Sequence, residues 1–178
     1  MQSNEMESTT ERLELRKFST EDAPGFYLMN QDPEVMRFTG DEPFPSVIEA
    51  RLFIQRYDHY AIHGFGRWSV YSRANHKYLG FCGLKYSPEK NEVDLGFRLI
   101  RSHWGCGLAT EAATESLRLG FERYGLKKIV GRAMQANAAS HSVLKKLGMT
   151  EIFRFVEDGN SWVQYELKAP SSIHACEP

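Results

Sequence analysis

The chain has 178 residues, of which 42% are hydrophobic and 25% are charged, and its formal net charge at pH 7 is -1. This length suits one domain with a well-buried core and is too short for two ordinary domains. A nearly neutral chain without a cluster of lysines and arginines lacks the electrostatic footprint of a nucleic-acid-binding protein, so we expect no direct nucleic-acid ligand.

The apolar pattern and the cysteines exclude membrane-spanning and disulfide-rich classes. No apolar run approaches the roughly 20 residues that span a bilayer, and the amino terminus, MQSNEMESTTER, is polar and acidic, unlike a secretory leader. The cysteines at positions 82, 106 and 176 form no C-x-x-C pair, and the histidines are scattered, so neither a disulfide framework nor a metal site is expected. These features predict a cytoplasmic protein without a membrane partner.

The two ends of the chain differ in composition from its centre. Residues 1–10 and 169–178 are polar and are expected to be loose. This leaves a single domain, 1–178, whose ordered core covers about 11–168.

Up to Gly66 the sequence predicts one strand followed by helices. The strand shows alternating apolar and charged side chains (RLELR), and each helix follows a polar capping residue. Ser46 is followed three residues later by Glu49, which is a capping-box signature. The predicted elements are a strand at 12–16, a helix at 23–30, a short helix from Pro33 and a helix from Ser46 to about Gly64.

After Gly66 the apolar period changes from helical to alternating. Three runs rich in aromatic and β-branched residues are separated by turn residues of hairpin length. The predicted elements are strands at 67–72, 77–86 and 91–100, a helix at 108–124, a strand at 128–133, a helix at 137–147, and strands at 149–156 and 161–167. This order predicts an α+β fold with a mixed, mostly antiparallel central sheet.

The stretch RSHWGCGLATEA, residues 101–112, joins a predicted strand to a predicted helix and contains two glycines. Such a turn exposes several N–H groups, which together with the helix dipole favour an anion, above all a phosphate. The pattern is not G-x-x-x-x-G-K-[ST], because no lysine follows the second glycine, and not G-x-G-x-x-G, because Thr110 takes the third position. A tight turn whose glycines only permit positive φ is the alternative interpretation.

Three segments carry a resemblance: LELRKFSTEDAPGFYLMNQDPEVMRFTG near the start, VDLGFRLIRSHWGCGLATEA in the middle and NAASHSVLKKLGM after it. Together they resemble the GNAT superfamily of N-acetyltransferases, in particular the branch that acetylates serine or alanine at the amino termini of ribosomal proteins. The resemblance covers about residues 12–168. It implies a central sheet of about seven strands, splayed at strands 4 and 5, with four flanking helices. It also implies acetyl-CoA as co-substrate and a primary amine as acceptor.

The resemblance further implies which residues hold acetyl-CoA. The pyrophosphate would rest on the amides of the glycine loop, and the pantetheine arm would pair with the strand before it. The implied residues are Phe97, Arg98 and Leu99 on the strand, Arg101, Trp104, Gly105, Cys106, Gly107, Leu108, Ala109 and Thr110 at the loop, and Asn137 and Ser140 at the later helix. Arg101 lies one residue before Ser102, the position at which the family usually has Gln or Arg.

A base must remove a proton from the acceptor, because an ammonium cannot attack a thioester. Glu92 and Asp94 are two residues apart on a strand, so their carboxylates share one face. Asp94 matches the acidic residue of the family's E-I-G-Y sequence and is the preferred base, acting directly or through a water. A solvated strand face is the alternative, and it is the favoured interpretation for Glu92.

The leaving thiolate also needs a partner. Ser140 lies three residues after Asn137, where the ribosomal-protein branch has a serine near the thioester sulfur. Its hydroxyl would donate a hydrogen bond to the thiolate, or Asn137 and Ser140 are ordinary capping positions, and the two interpretations are compatible. The tyrosine acid of many superfamily members is excluded, because Leu144 occupies that position.

Cys106 stands at a helix amino terminus, where a thiol pKa tends to fall, and it raises the question of a ping-pong reaction. No histidine and carboxylate accompany it in the sequence, so direct attack in a ternary complex is expected. The aromatic residues at the expected acceptor side are mostly core candidates, and one or two are expected at the amine pocket: Phe26, Tyr27, Phe38, Phe44 and Trp68.

Two functions remain after these arguments: an N-acetyltransferase, and a non-catalytic acyl-CoA-binding or sensing domain. Asp94 and Ser140 favour the first, and Leu144 gives weight to the second. The acceptor is open between a protein amino terminus, such as that of a ribosomal protein, and a small-molecule amine. The resemblance also implies that a homodimer is an option.

Overall fold

The computed structural model describes residues 5–170. In this part of the chain eight strands form one sheet, in the order β1-β2-β3-β4-β5-β6-β8-β7. The strands are β1 (Met6–Thr9), β2 (Leu13–Lys17), β3 (Arg67–Ser72), β4 (Tyr78–Ser87), β5 (Glu92–Leu99), β6 (Lys128–Met134), β7 (Thr150–Glu157) and β8 (Asn160–Lys168). All neighbours are antiparallel except β5 and β6, which confirms the predicted mixed sheet of an α+β fold.

The helices of the described residues comprise four longer ones and two short ones. They are α1 (Ala23–Gln31), α2 (Pro33–Met36), α3 (Val47–Gln55), α4 (His59–His63), α5 (Leu108–Arg118) and α6 (Ala138–Lys146). Asp32 accepts from the Glu34 N–H at α2 and Ser46 accepts from the Glu49 N–H at α3, as predicted. In the described residues the return bond from the Glu49 side chain that would complete the capping box is absent, and Asp22 does not cap α1 with its side chain. The four longer helices match the predicted number.

The sheet buries a hydrophobic cluster on each of its faces. Cys82 and Phe81 are neighbours on β4 and therefore point to opposite faces. The face of Cys82 packs with Leu13, Leu15, Val70, Leu95, Leu99, Ala112, Ala113, Leu117 and Leu144, which places α5 and α6 on that side. The face of Phe81 packs with Phe18, Ala23, Phe26, Met29, Ala50 and Ile54, which places α1 and α3 on the other side.

Strands β5 and β6 separate along their length. They pair only at Asp94 with Val130 and at Leu95 with Gly131, although β5 continues to Leu99 and β6 to Met134. On its other side β5 stays paired with β4 up to Leu99. The predicted splay is confirmed, at the fifth and sixth strands of this chain because β1 precedes the strands that the sequence predicts.

Strand β1 lies within residues 1–10, which the sequence predicts to be loose, and for residues 6–9 this prediction is wrong. The strand pairs with β2, and its side chains bind the last turns of the helical region that begins with α5. Glu7 accepts from Arg123 and from the Tyr124 hydroxyl, and Ser8 donates to Glu115. The sheet therefore has eight strands and not about seven. Residues 1–4 and 171–178, also predicted to be loose, lie outside the described residues.

Two predicted helices also differ in detail. The helix predicted from Ser46 to Gly64 is divided into α3 and α4, because the Tyr57 and Tyr60 hydroxyls bind the backbone of Arg67 and turn the chain towards β3. The helix after the glycine loop ends as α5 at Arg118 and continues as a π-helical turn over Leu119–Arg123.

Candidate active site

The glycine loop between β5 and α5 has the backbone that its sequence predicts. Gly105 has φ +74° and Gly107 has φ +77°, in the left-handed region that favours glycine. Gly107 is the N-cap of α5, and no side chain caps this helix. The N–H groups of residues 105–110 donate no hydrogen bond to any group within the described chain. The loop is both a tight turn and a set of free amides at a helix amino terminus, so it suits an anion.

Three side-chain contacts lie at this loop. The Trp104 indole donates to the Leu99 carbonyl at 2.8 Å, which ties the loop to the end of β5. The Arg12 guanidinium donates to the Cys106 carbonyl at 2.9 Å. Arg101 pairs with Asp32 at 2.9 Å, so its side chain is held at the start of α2 and would have to leave this pair to contact a phosphate.

On β5 the backbone, not the side chains, is offered to the gap beside β6. Leu99 is buried in the cluster beneath α5, and Phe97 packs against that cluster. The Arg98 guanidinium lies on the opposite face, where it donates to Asn30 and Asp41. After Leu95 the edge of β5 has no partner strand on the side of β6, and apart from the Leu99 carbonyl, which accepts from the Trp104 indole, it can accept another extended chain.

Three residues separate the end of β6 from the start of α6. The Asn137 side chain accepts from the Ser140 N–H at 3.1 Å, so its predicted capping role is present. Within residues 5–170 the Ser140 hydroxyl has no hydrogen-bond partner. His141 binds the Tyr165 hydroxyl at 2.8 Å and the Met134 carbonyl at 3.1 Å, which fixes this end of α6 to β6 and β8.

Leu144 belongs to the core and not to the gap. It is 1% exposed, and a Cβ added at Gly131 would lie 2.6 Å from it. This position therefore supplies no tyrosine acid, as the sequence indicates.

Asp94 carries a cationic partner on the face of α1 and α3. Arg67 contacts its carboxylate and also donates to the Asp94 carbonyl at 2.8 Å. The side chains of Arg67 and Asp94 are only 14% and 18% exposed, so the pair is mostly shielded from water. One carboxylate oxygen, Oδ1, has no hydrogen-bond partner in the described part of the chain.

Glu92 lies on the same face, as predicted, but its carboxylate is more fully occupied. It pairs with Arg132 and Lys128 and accepts from the Gln164 side chain. These partners lie on β6 and β8, so Glu92 ties β5 to the second half of the sheet. This arrangement supports the structural interpretation of Glu92.

A cavity of about 560 Å³ opens beside the start of α6. Its lining residues are Arg37, Phe38, Met134, Gln135, Ala136, Asn160 and Ser161. Met134, Gln135 and Ala136 immediately precede Asn137, so the cavity lies where β6 ends and α6 begins, and its lining includes no residue of β5 or of the glycine loop. Of the five aromatic residues considered for the acceptor side, Phe38 lines this cavity, whereas Phe26 and Trp68 are 4% and 0% exposed.

Sequence reasoning missed Arg12, Arg67 and His141 as parts of this site. The Arg12 contact joins residues 94 positions apart and the contact of Arg67 with Asp94 joins residues 27 apart. No local pattern marks such pairs. His141 lies within the segment NAASHSVLKKLGM, but the resemblance assigns no role to its position.

The described residues contain neither a group of metal ligands nor a membrane-spanning helix. Among residues 5–170, no three or more His, Cys, Asp or Glu side chains are grouped so that they could hold a metal ion. Over the same residues, no helix has the length and apolar character needed to cross a membrane.

Known proteins share the sequence pattern and the fold of this chain. The sequence profile described as "Acetyltransferase (GNAT) domain" matches residues 12–150. The uncharacterized N-acetyltransferase p20 of Bacillus licheniformis is 33% identical over 140 residues, which are 78% of this chain and 79% of that protein.

Two solved structures share the fold. The ribosomal-protein-S5-alanine acetyltransferase of Vibrio fischeri is similar with a TM-score of 0.79 at 14% identity, over 92% of this chain and 97% of that one. The spermidine N-acetyltransferase of Vibrio cholerae, in complex with CoA and spermine, is similar with a TM-score of 0.77 at 17% identity, over 89% and 96%.

Proposed function

The chain belongs to the GNAT family and is an acetyl-CoA-dependent N-acetyltransferase, and we propose that it acetylates a primary amine by direct attack while both substrates are bound. The observation that carries this proposal is the open edge of β5 followed directly by the glycine loop. After Leu95 this strand has no partner towards β6, and the free amides of residues 105–110 follow it at the start of α5.

The donor would lie along this gap. The amides of residues 105–110 at the start of α5 suit its pyrophosphate, and the unpaired edge of Phe97 to Leu99 suits the amides of its pantetheine arm. Bound acetyl-CoA supplies an activated acetyl group and a thiol leaving group. The chain supplies orientation, a path for one proton and exclusion of water.

The acceptor would enter through the cavity lined by Phe38 and Met134. The amine nitrogen must lose a proton before or while it bonds to the acetyl carbon, and the carbon–sulfur bond then breaks. Asp94 is the group that we propose for this proton, through its free Oδ1 either directly or by way of a water, with Arg67 holding the other oxygen.

Ser140 is proposed to assist the departing sulfur. Its hydroxyl is without a partner in the mapped chain, and its N–H is bound by Asn137, so the start of the helix is fixed while the hydroxyl stays free. A hydrogen bond from this hydroxyl would stabilise the developing thiolate. The capping role of Asn137 is compatible with this proposed role of Ser140.

A covalent route through Cys106 is not supported by its surroundings. The thiol is exposed on the glycine loop and contacts the Trp104 carbonyl at 3.5 Å, and no histidine contacts it in the described residues. This position lies at the expected phosphates, away from Asp94 and Ser140. A ternary complex is therefore the proposed route.

The acceptor class is drawn from the relatives' names and remains a proposal. One structural neighbour acts on a ribosomal protein and another on spermidine, so protein amino termini and small amines both merit testing. We further propose that the chain forms a homodimer, and its mass in solution tests this.

The proposed function is tested by release of free CoA from acetyl-CoA with a panel of amines. Turnover with at least one amine is expected, and donor binding without turnover on any of them would contradict the proposal.

For the base, Asp94→Asn should lower kcat about 100-fold with donor affinity retained. Glu49→Gln, which removes an exposed carboxylate on α3, is the matched control and should leave kcat within twofold. An unaltered rate in Asp94→Asn would dismiss Asp94 as the base.

A further inference from the structure

The turn between β1 and β2 rests on the first turn of α5. The Thr10 hydroxyl and the Arg12 N–H both donate to Oε1 of Glu111, at 2.5 and 2.9 Å. The Arg12 Nε donates to Oε2 of the same carboxylate at 2.6 Å. Arg12 is thereby held in one orientation on α5.

The free end of this guanidinium reaches the glycine loop. The Arg12 Nη1 donates to the Cys106 carbonyl at 2.9 Å, while Nε stays on Glu111. A trans peptide is planar, with its C=O and N–H on opposite sides. Holding the Cys106 carbonyl therefore aims the Gly107 N–H away from Arg12, towards the side on which residues 105–110 present their free amides.

Arg12 also offsets a charge that would oppose an anion. Glu111 lies in the first turn of α5, and although burial raises its pKa, hydrogen bonds from Thr10 and Arg12 lower the pKa below its ordinary value. Glu111 is thus ionised at neutral pH, close to the amides of the loop. Without Arg12 this carboxylate would repel a bound pyrophosphate.

We propose that Arg12 is a positioning residue for the donor's pyrophosphate: by bridging Glu111 and the Cys106 carbonyl, it fixes the Gly107 amide towards the phosphates and neutralises the adjacent carboxylate. The inference rests on the proposed binding of acetyl-CoA at this loop. It assigns a task to the β1–β2 hairpin, which lies outside the cofactor site that the sequence indicates. Arg12 acts through the loop and is not itself placed at the reacting atoms.

The test compares two donors in Arg12→Ala. Acetyl-CoA has a pyrophosphate and acetyl-pantetheine has none. The substitution should raise the KM for acetyl-CoA about tenfold, the size expected for one charge-assisted hydrogen bond. The kcat, the KM for the acceptor and the kcat/KM with acetyl-pantetheine should stay within twofold. An equal loss with both donors, or no change with either, would overturn the proposal.

Two further variants separate positioning from charge and from folding. Arg12→Lys keeps the charge but cannot bridge Glu111 and the carbonyl in one plane, so its KM should lie at least threefold above the parent value. Full recovery in Arg12→Lys would show that charge alone suffices and would contradict positioning. Arg73→Ala is the matched control, because Arg73 binds the Thr10 and Glu11 carbonyls of the same hairpin without touching the loop. Its KM should be unchanged, and a tenfold rise would overturn the proposal.

Binding of CoA by calorimetry keeps this inference distinct from the proposed reaction. A parent protein that binds CoA but acetylates no amine would contradict the proposed function. A tenfold weaker Kd for CoA in Arg12→Ala would still support the positioning role of Arg12. If the parent protein acetylates an amine and the Kd for CoA is unchanged in Arg12→Ala, the positioning role of Arg12 alone would be contradicted.

Discussion

Asp94 and Arg67 form the charge pair on which the acceptor side of the sheet depends. Arg67 also donates to the Gly83 and Asp94 carbonyls, so one guanidinium joins β3, β4 and β5. A Cβ added at Gly96 would lie 2.4 Å from this guanidinium, so glycine is the residue that leaves room for it. The pair therefore both orients the proposed base and stabilises the sheet at the point where β5 and β6 separate.

Arg67→Gln should lower the free energy of unfolding by about 2–3 kcal/mol, because it leaves the mostly buried Asp94 carboxylate without its partner. Urea denaturation at pH 7 measures this change. Arg154→Gln is the control, since Arg154 forms an exposed pair with Glu151, and exposed pairs contribute little to stability. Equal losses in the two variants would contradict the special role of the Arg67 pair.

Among the elements, α4 shows how a short helix is held by one buried side chain. The five residues His59–His63 are too few to be stable as an isolated helix. The His59 Nε2 accepts the Tyr86 N–H of β4 at 2.9 Å, which requires a neutral imidazole. Burial lowers the pKa of His59 to about 4. The docking of α4 is therefore sensitive to acid.

The pH dependence follows from this lowered pKa. An unfolded histidine gains its proton near pH 6.5, whereas His59 in the folded chain gains it only near pH 4. Between these values the unfolded state binds more protons, so stability should fall as the pH drops from about 6.5 towards 4. Thermal midpoints at pH 7.5 and 5 should differ less in His59→Gln than in the parent, and His103→Gln should behave as the parent does. An unchanged pH dependence in His59→Gln would count against this account.

At the scale of the whole molecule, the carboxylates of the acceptor face are paired with arginines. Asp94 pairs with Arg67, Glu92 with Arg132, and Asp41 with Arg98. The charged side chain that lines the cavity is Arg37, which lies over the Phe38 ring. A polyamine needs free carboxylates for its further ammonium groups, and the cavity lining contains none. We therefore propose that an amine that also carries a carboxylate or carbonyl group is the better acceptor, if the acceptor enters through this cavity.

Arg37→Glu should therefore change acceptor preference. The kcat/KM for an acceptor bearing a carboxylate is expected to fall about tenfold, and that for spermidine to rise, because the charge at the cavity is reversed. Arg51→Glu, on the exposed side of α3, makes the same change in net charge and should leave the ratio of the two acceptors unchanged. A parent enzyme that prefers spermidine would contradict this interpretation of the cavity.

The sequence predicted the elements well where one local period dominates, as in β3, which begins and ends where expected. It failed for β1, whose order depends on hydrogen bonds to side chains more than 100 residues away, such as that of Ser8 with Glu115. It also failed at the break between α3 and α4, where tyrosine hydroxyls bind another element. The glycine loop was predicted from local backbone chemistry, whereas the partners of Arg12 and Asp94 depend on tertiary packing. Distant pairing is thus the information that a period or motif does not contain.

The short seam between β5 and β6 makes the sheet mechanically two blocks, β1 to β5 and β6 to β8. Among the described residues, the pairs at Asp94 and Leu95 cross it, together with the contacts of Glu92 with Arg132, Lys128 and Gln164. A pantetheine arm lying along the open edge of β5 would hold the two blocks at a fixed spacing for as long as it is bound. The proposed base lies at the seam itself, so the same few residues would set both the spacing of the blocks and the place where the proton is taken up.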